Sequence, residues 1–174
     1  MAQQGASDTR KRSTELYTPE QRRRRDASRW TLVQGLLAPI QFIVFLASVG
    51  LILRYLVTGE GLAIATASIV LKTLLLYTIM LTGSIWEKVV FDKWLFADAF
   101  YWEDVFSILV LALHTAYLVC LVTGFLDHAG LMVLALAAYA TYLINATQFI
   151  LKLRAARLGA AFAATAHQPL ETAR

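Results

Sequence analysis

Long apolar runs alternate with short polar segments along this chain. Four runs, each almost free of charged side chains, cover residues 30–53, 61–86, 105–126 and 129–151. At about 1.5 Å of rise per helical residue, each run is long enough to cross a hydrocarbon core of about 30 Å. Helices buried inside a soluble protein do not need apolar runs of this length. The pattern therefore predicts an all-α, polytopic membrane protein, folded as a bundle of four transmembrane helices.

The polar ends of the chain predict two tails outside this bundle. Residues 1–29 are expected to form a basic tail, in which residues 1–14 carry few apolar side chains and are disordered. Residues 30–157 hold the four runs and form the membrane domain. Residues 158–174 are expected to form a second tail, which is loose beyond Pro169.

A short helix is predicted within the first tail. Thr18 is a favourable helix cap, and Pro19 suits the first helical position. Gln21 stands where the partner of a capping box is found. These signals predict a short interfacial helix over residues 19–27, ahead of the first transmembrane run.

The distribution of basic residues predicts the orientation of the bundle. Eight Lys and Arg precede the first run, four follow the last run, and two lie in segment 87–104. Arg54 is the only basic residue in segment 54–60, and turn 127–128 has none. By the positive-inside rule, the side with fourteen basic residues faces the cytoplasm. Both termini and segment 87–104 are therefore expected to be cytoplasmic.

Composition agrees with a membrane protein and excludes several other classes. Hydrophobic residues make up 58% of the chain and the mean hydropathy is +0.57. The single Cys120 excludes an internal disulfide, and no zinc-binding, Walker, dinucleotide-binding or serine-hydrolase motif is present. Basic residues beside a membrane are attracted to anionic lipid, so membrane lipid rather than nucleic acid is the expected partner of the first tail.

Polar side chains inside the runs are candidate functional residues, because hydrocarbon makes them costly. Glu103 and His114 are eleven residues apart, about three helical turns, so they share one face of the third helix with Ser107 and Tyr117. The fourth run adds a polar group made of Tyr142, Asn145 and Gln148. These residues either form hydrogen bonds between helices or line a substrate site. For His114, the structural alternative is a hydrogen bond to Tyr142 or Asn145.

Lys72 lies near the middle of the second run. Side chains tilt toward the N-terminus of their own helix. In the predicted topology, Lys72 therefore tilts toward the outer side and His114 toward the inner side. The two groups are expected to diverge, with Lys72 extending toward the outer interface. A structural and a catalytic role are both open for Lys72.

The segment that joins the second and third runs is the densest candidate site. From Trp86 onward it interleaves five carboxylates with seven aromatic residues. Glu87 lies near the negative end of the second helix dipole, which favours its protonated form. Glu103 and Asp104 lie near the positive end of the third, which favours carboxylates. Such a set suits an acid and a base. The alternative is an aromatic belt at the membrane interface, including Trp86 and Trp102.

Six segments also carry a family resemblance. They are residues 17–28, 30–42, 83–91, 102–107, 111–117 and 138–146, among them the string Trp-Glu-Asp-Val-Phe-Ser at 102–107. In these segments the sequence resembles the 3-vinyl bacteriochlorophyllide hydratases of phototrophic bacteria. The resemblance extends over nearly the whole chain, and the strings are long and specific. No catalytic motif is carried over from the family residue by residue.

The resemblance implies addition of water to the C3 vinyl group of a chlorophyllide or bacteriochlorophyllide, giving a 3-(1-hydroxyethyl) group in bacteriochlorophyll biosynthesis. Such a reaction needs a general acid, a base and a dry aromatic pocket, but no cofactor. From the residues themselves, the candidate catalytic groups are Glu87, Glu103 and Asp104. The candidate substrate-binding residues are His114, Trp86, Trp102, Tyr142 and Asn145. No protein-bound metal is expected, and His114 is a candidate ligand to the magnesium of the substrate.

Two other functions are weighed against the hydratase. The first is a non-catalytic pigment-binding or photosystem-assembly protein, with His114 as an axial ligand. The second is a small transporter with Lys72 and His114 as a proton relay, against which the lack of an inverted repeat argues. The expected partners are a chlorin substrate, membrane lipid and enzymes of the bacteriochlorophyll pathway. The expected location is the inner membrane, cytoplasmic or intracytoplasmic.

Overall fold

Five helices make up the part of the chain that the computed structural model describes, which is residues 16–166, with side chains described up to residue 158. They are α1 (Pro19–Ala27), α2 (Arg29–Thr58), α3 (Leu62–Phe91), α4 (Tyr101–Thr123) and α5 (His128–Ala166), and this part contains no strand. Helices α2 to α5 are each long and apolar enough to cross a membrane. The predicted class, a four-helix transmembrane bundle, is confirmed.

The four long helices form a ring. Helix α2 packs along α3, and α4 packs along α5, while contacts between α3 and α4 and between α2 and α5 close the ring. The connection over residues 92–100 lies at the same end of the bundle as the start of α2, and this end is called the loop end. Helix α1 packs against α3 there. The connections at residues 59–61 and 124–127 lie at the opposite end.

Helix α1 has the predicted bounds and the predicted cap. The Gln21 backbone N–H donates to the Thr18 hydroxyl at 3.3 Å, and the Thr18 N–H donates to the Gln21 side-chain oxygen at 2.9 Å. This reciprocal pair is a capping box, with Pro19 in the first turn. Local sequence therefore determines where this helix begins.

The helices extend beyond the predicted apolar runs at the loop end. Helix α3 continues to Phe91, and α4 begins at Tyr101, so the connection is only residues 92–100 instead of 87–104. At the other end, α4 stops at Thr123, because Gly124 adopts a left-handed conformation with φ 66°. Apolar runs mark the depth of hydrocarbon, whereas helical hydrogen bonds continue into the polar border. The candidate carboxylates therefore lie on helical turns.

Helix α5 is also longer than its apolar run. It extends over His128–Ala166, whereas the predicted span is 129–151. Its helical backbone passes without a break through the predicted boundary between the membrane domain and the second tail at residue 158. The expectations for residues 1–14 and for the tail beyond Pro169 lie outside the described residues.

The core of the bundle combines apolar packing with hydrogen bonds between helices. Its buried side chains include Phe45, Ile52, Ile69, Leu76, Val110, Met132 and Tyr139. The Ser48 hydroxyl lies 2.8 Å from the Tyr139 hydroxyl and 2.7 Å from the Ser68 hydroxyl. Ser48 lies on α2, Ser68 on α3 and Tyr139 on α5. The three hydroxyl groups therefore join three helices in the apolar interior.

Candidate active site

Two carboxyl groups meet at the loop end of the bundle. Glu87 lies near the end of α3 and Asp104 in the first turn of α4, and both are buried, with 5% and 4% of their surface exposed. The two acids lie close enough to interact electrostatically. Two neighbouring buried carboxylates repel each other, so such an arrangement favours one protonated and one ionised group. A pair of this kind can bring together one proton donor and one proton acceptor.

Backbone amides of the 92–100 connection hold this pair. The Phe96 N–H donates to the Asp104 carboxyl at 2.8 Å, and the Ala97 N–H donates to the Glu87 carboxyl at 3.2 Å. Phe96 has φ 59°, in the left-handed region that a bulky side chain rarely adopts. Strain of this kind persists where surrounding contacts enforce it, and it is frequent at functional sites. Here it accompanies amides that point at two buried carboxyl groups.

Glu103 has a different partner. Its carboxylate accepts a hydrogen bond from the Lys152 ammonium at 2.6 Å, and only 7% of the residue is exposed. The same ammonium lies 5.2 Å from the centroid of the Phe100 ring. Glu103 thus joins α4 to α5, and the group beside Glu87 is Asp104. Both predicted acids on α4 lie at the loop end, but only Asp104 forms the carboxyl pair.

An aromatic cluster lies beside the carboxyl groups and consists of Tyr17, Trp86, Phe91, Phe100 and Phe149. Phe100 is its centre, with ring centroids 5.7 Å from Trp86, 5.8 Å from Phe91, 5.7 Å from Phe149 and 6.4 Å from Tyr17. The Trp86 indole N–H donates to the Thr31 hydroxyl at 3.0 Å. Helices α3 and α5, the connection and the segment before α1 therefore meet in one aromatic layer, which α2 joins through the Thr31 hydroxyl.

The predicted pair of tryptophans is divided. Trp86 belongs to the aromatic cluster, whereas Trp102 is 66% exposed and its ring contacts Tyr101 at 5.5 Å between centroids. Trp102 therefore faces the surroundings of the bundle and not the carboxyl pair. This position fits the interfacial aromatic belt that the sequence offered as the alternative.

Tyr17 attaches α1 to the cluster. Its ring stacks on Phe91 at 5.7 Å between centroids, and the Arg25 guanidinium lies 4.7 Å from the centre of the Tyr17 ring. Burial raises the pKa of the Tyr17 phenol, although the adjacent Arg25 acts in the opposite direction. The segment before α1 is thus packed against the loop end through an aromatic contact and a cation–π contact.

A second polar group lies deeper in the bundle, around His114. Its Nδ1 is 2.8 Å from the Val110 carbonyl oxygen. Since a carbonyl oxygen only accepts, Nδ1 carries the hydrogen, and in the neutral ring Nε2 keeps a free lone pair. Nε2 is buried without a hydrogen-bond partner among the described residues. The ring stacks on Tyr139 at 5.6 Å.

The structural alternative for His114 named the wrong partners. Asn145 donates through Nδ2 to the Ser107 hydroxyl at 2.8 Å, and the Tyr142 ring packs 5.1 Å from that of Phe45. His114 is bonded to the backbone of its own helix instead. The predicted polar face of α4 is nevertheless confirmed, because Glu103, Ser107, His114 and Tyr117 are all buried.

One expectation for Lys72 is wrong. The residue is completely buried and does not extend to an outer interface, and its Nζ lies 3.7 Å from the centroid of the Tyr142 ring on α5. The tilt of the first side-chain bond does not decide the position of this ammonium, because four flexible methylenes carry it across the bundle.

Comparisons with known proteins give the family. A family model described as 2-vinyl bacteriochlorophyllide hydratase matches residues 17–155. The chain belongs to this family. A 2-vinyl bacteriochlorophyllide hydratase of Cereibacter sphaeroides is 70% identical over 143 residues, 82% of this chain and 89% of that protein. One of Rhodobacter capsulatus is 65% identical over 146 residues, 84% of this chain and 85% of that protein. No solved structure matches.

The family description agrees with the resemblance found in the sequence. The matched residues of this member of the vinyl bacteriochlorophyllide hydratase family begin at Tyr17 and so include α1. They also include both carboxyl groups of the Glu87–Asp104 pair and the buried residues around His114.

Sequence reasoning missed three side chains and two backbone groups of the candidate site in this hydratase family member. Lys152 was counted only among the basic residues that follow the last run, and Phe100 and Tyr17 were not singled out. The two backbone amides that hold the carboxyl pair could not be predicted from residue types, because every residue except proline carries such an amide. The dense alternation of aromatic and acidic residues after Trp86 was the available signal, and it indicated the right segment. Within residues 16–158, no three His, Cys, Asp or Glu side chains are placed to hold a metal ion.

Proposed function

We propose that this chain adds water to the vinyl group of a bacteriochlorophyllide, and that Glu87 and Asp104 are the acid and the base of this reaction. The observation that carries the proposal is the burial of these two acids at the loop end, where the amides of the consecutive residues Phe96 and Ala97 donate to one carboxyl group each. Membership of the hydratase family gives the reaction. A buried pair of this kind is an unfavourable way to hold a fold together, and it is the arrangement that acid–base catalysis needs.

The chemistry requires one proton to be given and one to be taken. The acid protonates the terminal vinyl carbon, which becomes a methyl group, and the inner carbon becomes a cation conjugated with the macrocycle. Water then attacks the inner carbon and gives its proton to the base, leaving a 1-hydroxyethyl group. After one turnover the proton has moved from acid to base. Because the two carboxyl groups are neighbours in the site, the proton can return from the base to the acid, which resets the pair without another donor.

The surroundings favour Glu87 as acid and Asp104 as base. Asp104 lies in the first turn of α4, where the helix dipole favours a carboxylate, and it accepts the shorter of the two amide hydrogen bonds, 2.8 Å against 3.2 Å. Glu87 lies near the end of α3, where the dipole disfavours a carboxylate. The assignment rests on the same dipole argument that the sequence supplied, now applied to two neighbouring acids.

Glu103 is proposed as a positioning residue. Its ion pair with Lys152 fixes the first turn of α4 against α5, and so fixes the backbone that carries Asp104. Trp86, in the aromatic cluster, supports the α3 side of the pair and provides a π-face near a developing cation. Trp102, on the exposed surface, is proposed to contact the macrocycle as it approaches from the lipid.

Four further assignments complete the proposal. His114, Tyr142 and Asn145 are proposed as substrate-binding residues, with Nε2 of His114 as ligand to the magnesium that the substrate brings. The reaction itself needs no resident cofactor.

The loop end is proposed to face the cytoplasm, in the inner membrane or its intracytoplasmic extensions, because basic residues concentrate there. Enzymes that supply the vinyl pigment and consume the alcohol are proposed as partners.

The proposal is tested with Glu87→Gln and Asp104→Asn, made separately. Each substitution keeps the size of the side chain but removes proton transfer, so hydration should fall by about 10²-fold or more. The measurement is chromatography of the pigments after incubation of membranes with the vinyl substrate. Binding of the substrate, followed by its absorption spectrum, should change little.

Asp98→Asn is the matched control, because Asp98 is an acid of the same connection whose side chain is 94% exposed. It should hydrate at the normal rate. Glu103→Gln should reduce turnover less than either substitution in the pair. Normal turnover in both Glu87→Gln and Asp104→Asn would refute the catalytic assignment. Pigment binding without any turnover in the unaltered protein would favour the pigment-binding alternative.

A further inference from the structure

A lysine without a partner lies at the centre of the bundle. Lys72 belongs to the middle of α3 and is completely buried, and its Nζ has no hydrogen-bond partner among the described residues. The nearest identified contact is the face of the Tyr142 ring on α5, at 3.7 Å. Within the described part of the chain, no carboxylate forms an ion pair with it. Helices α3 and α5 face each other across the ring, so the ammonium lies near the bundle axis.

Burial of a lysine ammonium costs free energy unless a counter-ion or a hydrogen-bond acceptor compensates its charge. An ammonium has three N–H donors, and the aromatic face of Tyr142 satisfies only part of its charge. In a membrane-spanning helix, a buried Lys without a counter-ion marks a functional site by default. Five further side-chain polar atoms of the described residues are also buried without partners, among them Nε2 of His114 and the hydroxyl of Tyr117. The bundle therefore contains several polar groups without partners in addition to this ammonium.

We propose that Lys72 binds the propionate carboxylate of the substrate inside the bundle. This inference rests on the proposed function. The family name specifies a bacteriochlorophyllide, which is the free acid of the pigment and carries a carboxylate on a short flexible arm. A carboxylate and an ammonium that are both removed from water stabilise each other through a charge-assisted hydrogen bond.

The position of Lys72 suits a substrate whose other end reacts at the loop end. Tyr142, over whose ring the ammonium lies, is ten residues before Lys152 on α5, which corresponds to about 15 Å along the helix. Lys152 is bonded to Glu103 beside the carboxyl pair. The separation is of the same order as the distance from the vinyl group to the propionate carboxylate across a chlorin. Recognition of the carboxylate would then place the vinyl group near Glu87 and Asp104.

The consequence is a specificity for free acids over esters. The methyl ester of the same pigment has nearly the same shape but no negative charge, so it leaves the Lys72 ammonium uncompensated. The experiment measures the affinity of the purified full-length protein, in lipid nanodiscs, for bacteriochlorophyllide and for its methyl ester by absorption titration. The unaltered protein should bind the free acid about tenfold tighter or more, the scale of one charge-assisted contact.

Lys72→Met is the decisive variant, because it keeps the length of the side chain and removes the charge. It should bind acid and ester with equal affinity, at the level of the ester in the unaltered protein. Lys93→Met, which removes an exposed lysine of the connection, is the control and should keep the full preference. An unaltered protein without preference, or a Lys72→Met variant that keeps it, would overturn the proposal. Because the readout is a ratio of affinities, loss of hydration in a separate turnover assay would count against the proposed function and not against this inference.

Discussion

At the scale of single residues, Nε2 of His114 is the atom best suited to bind a ligand, because it is buried without a hydrogen-bond partner among the described residues. Its partner nitrogen is committed to the Val110 carbonyl, which leaves the lone pair of Nε2 available in a fully buried ring. Neutral imidazole in this tautomer is a good axial ligand for the magnesium of a chlorin. The stacking on Tyr139 gives the same ring a packing role, so an experiment has to separate ligation from packing.

His114→Gly should weaken binding of the magnesium-containing pigment by about tenfold or more, since one coordination bond is lost. Free imidazole, which can occupy the space left by the ring, should restore the affinity. The comparison pigment is the magnesium-free form, whose affinity should be the same with and without His114. Equal weakening for both pigments, without rescue by imidazole, would instead assign His114 to packing alone.

At the scale of elements, the loop end is built around Phe100 rather than around any one helix. Phe100 lies in the connection between α3 and α4, and its ring contacts aromatic side chains from α3, α5 and the segment before α1. The connection in turn donates its two amides to the carboxyl pair. The docking of α1 and the geometry of the pair are therefore expected to depend on the same aromatic cluster.

Tyr17→Ala tests that dependence. It removes a ring that is 4% exposed, and with it the stack on Phe91 and the cation–π contact to Arg25, for a loss of roughly 3 kcal/mol in docking free energy. Helix α1 should then leave α3 more often, and trypsin should cleave its run of arginines faster. Trp94→Ala, which removes an exposed aromatic ring of the same connection, should leave the cleavage rate unchanged. Equal cleavage rates in all three proteins would show that α1 is held by other contacts.

At the scale of the whole molecule, helix packing does not determine which end of the bundle faces the cytoplasm. The distribution of charged residues has to determine it. The ring of α2 to α5 has the same packing in either orientation. Fourteen Lys and Arg lie before the first run, after the last run, and between the second and third runs, against one in the other connections. This asymmetry favours retention of the loop end, with the proposed active site, on the cytoplasmic side.

Reporter fusions measure this orientation directly. A reporter inserted at Lys93 or joined after Arg174 should be active in its cytoplasmic form. A reporter at Gly59 or His128 should be active in its periplasmic form. A periplasmic signal after Arg174 would contradict the orientation and would move the proposed carboxyl site to the other side of the membrane.

The sequence alone determined the features that depend on short-range periodicity. Apolar runs located the four spans, a capping box located α1, and the 3.6-residue period placed Glu103, Ser107, His114 and Tyr117 on one buried face. Long specific strings gave the resemblance to the family. Each of these inferences compares residues within one helix, or whole strings, so no knowledge of packing was needed.

Only the tertiary structure decided which groups meet across helices. Two neighbouring acids on α4 look equivalent in the sequence, yet the rotation of α4 places Asp104 against Glu87 and Glu103 against Lys152. Likewise, the rotation of α3 places Lys72 in the core, where its flexible chain reaches Tyr142 instead of the outer interface. Such contacts depend on how each helix turns about its own axis when all four pack together. That angle is set by the sum of many contacts between distant residues, so no local pattern contains it.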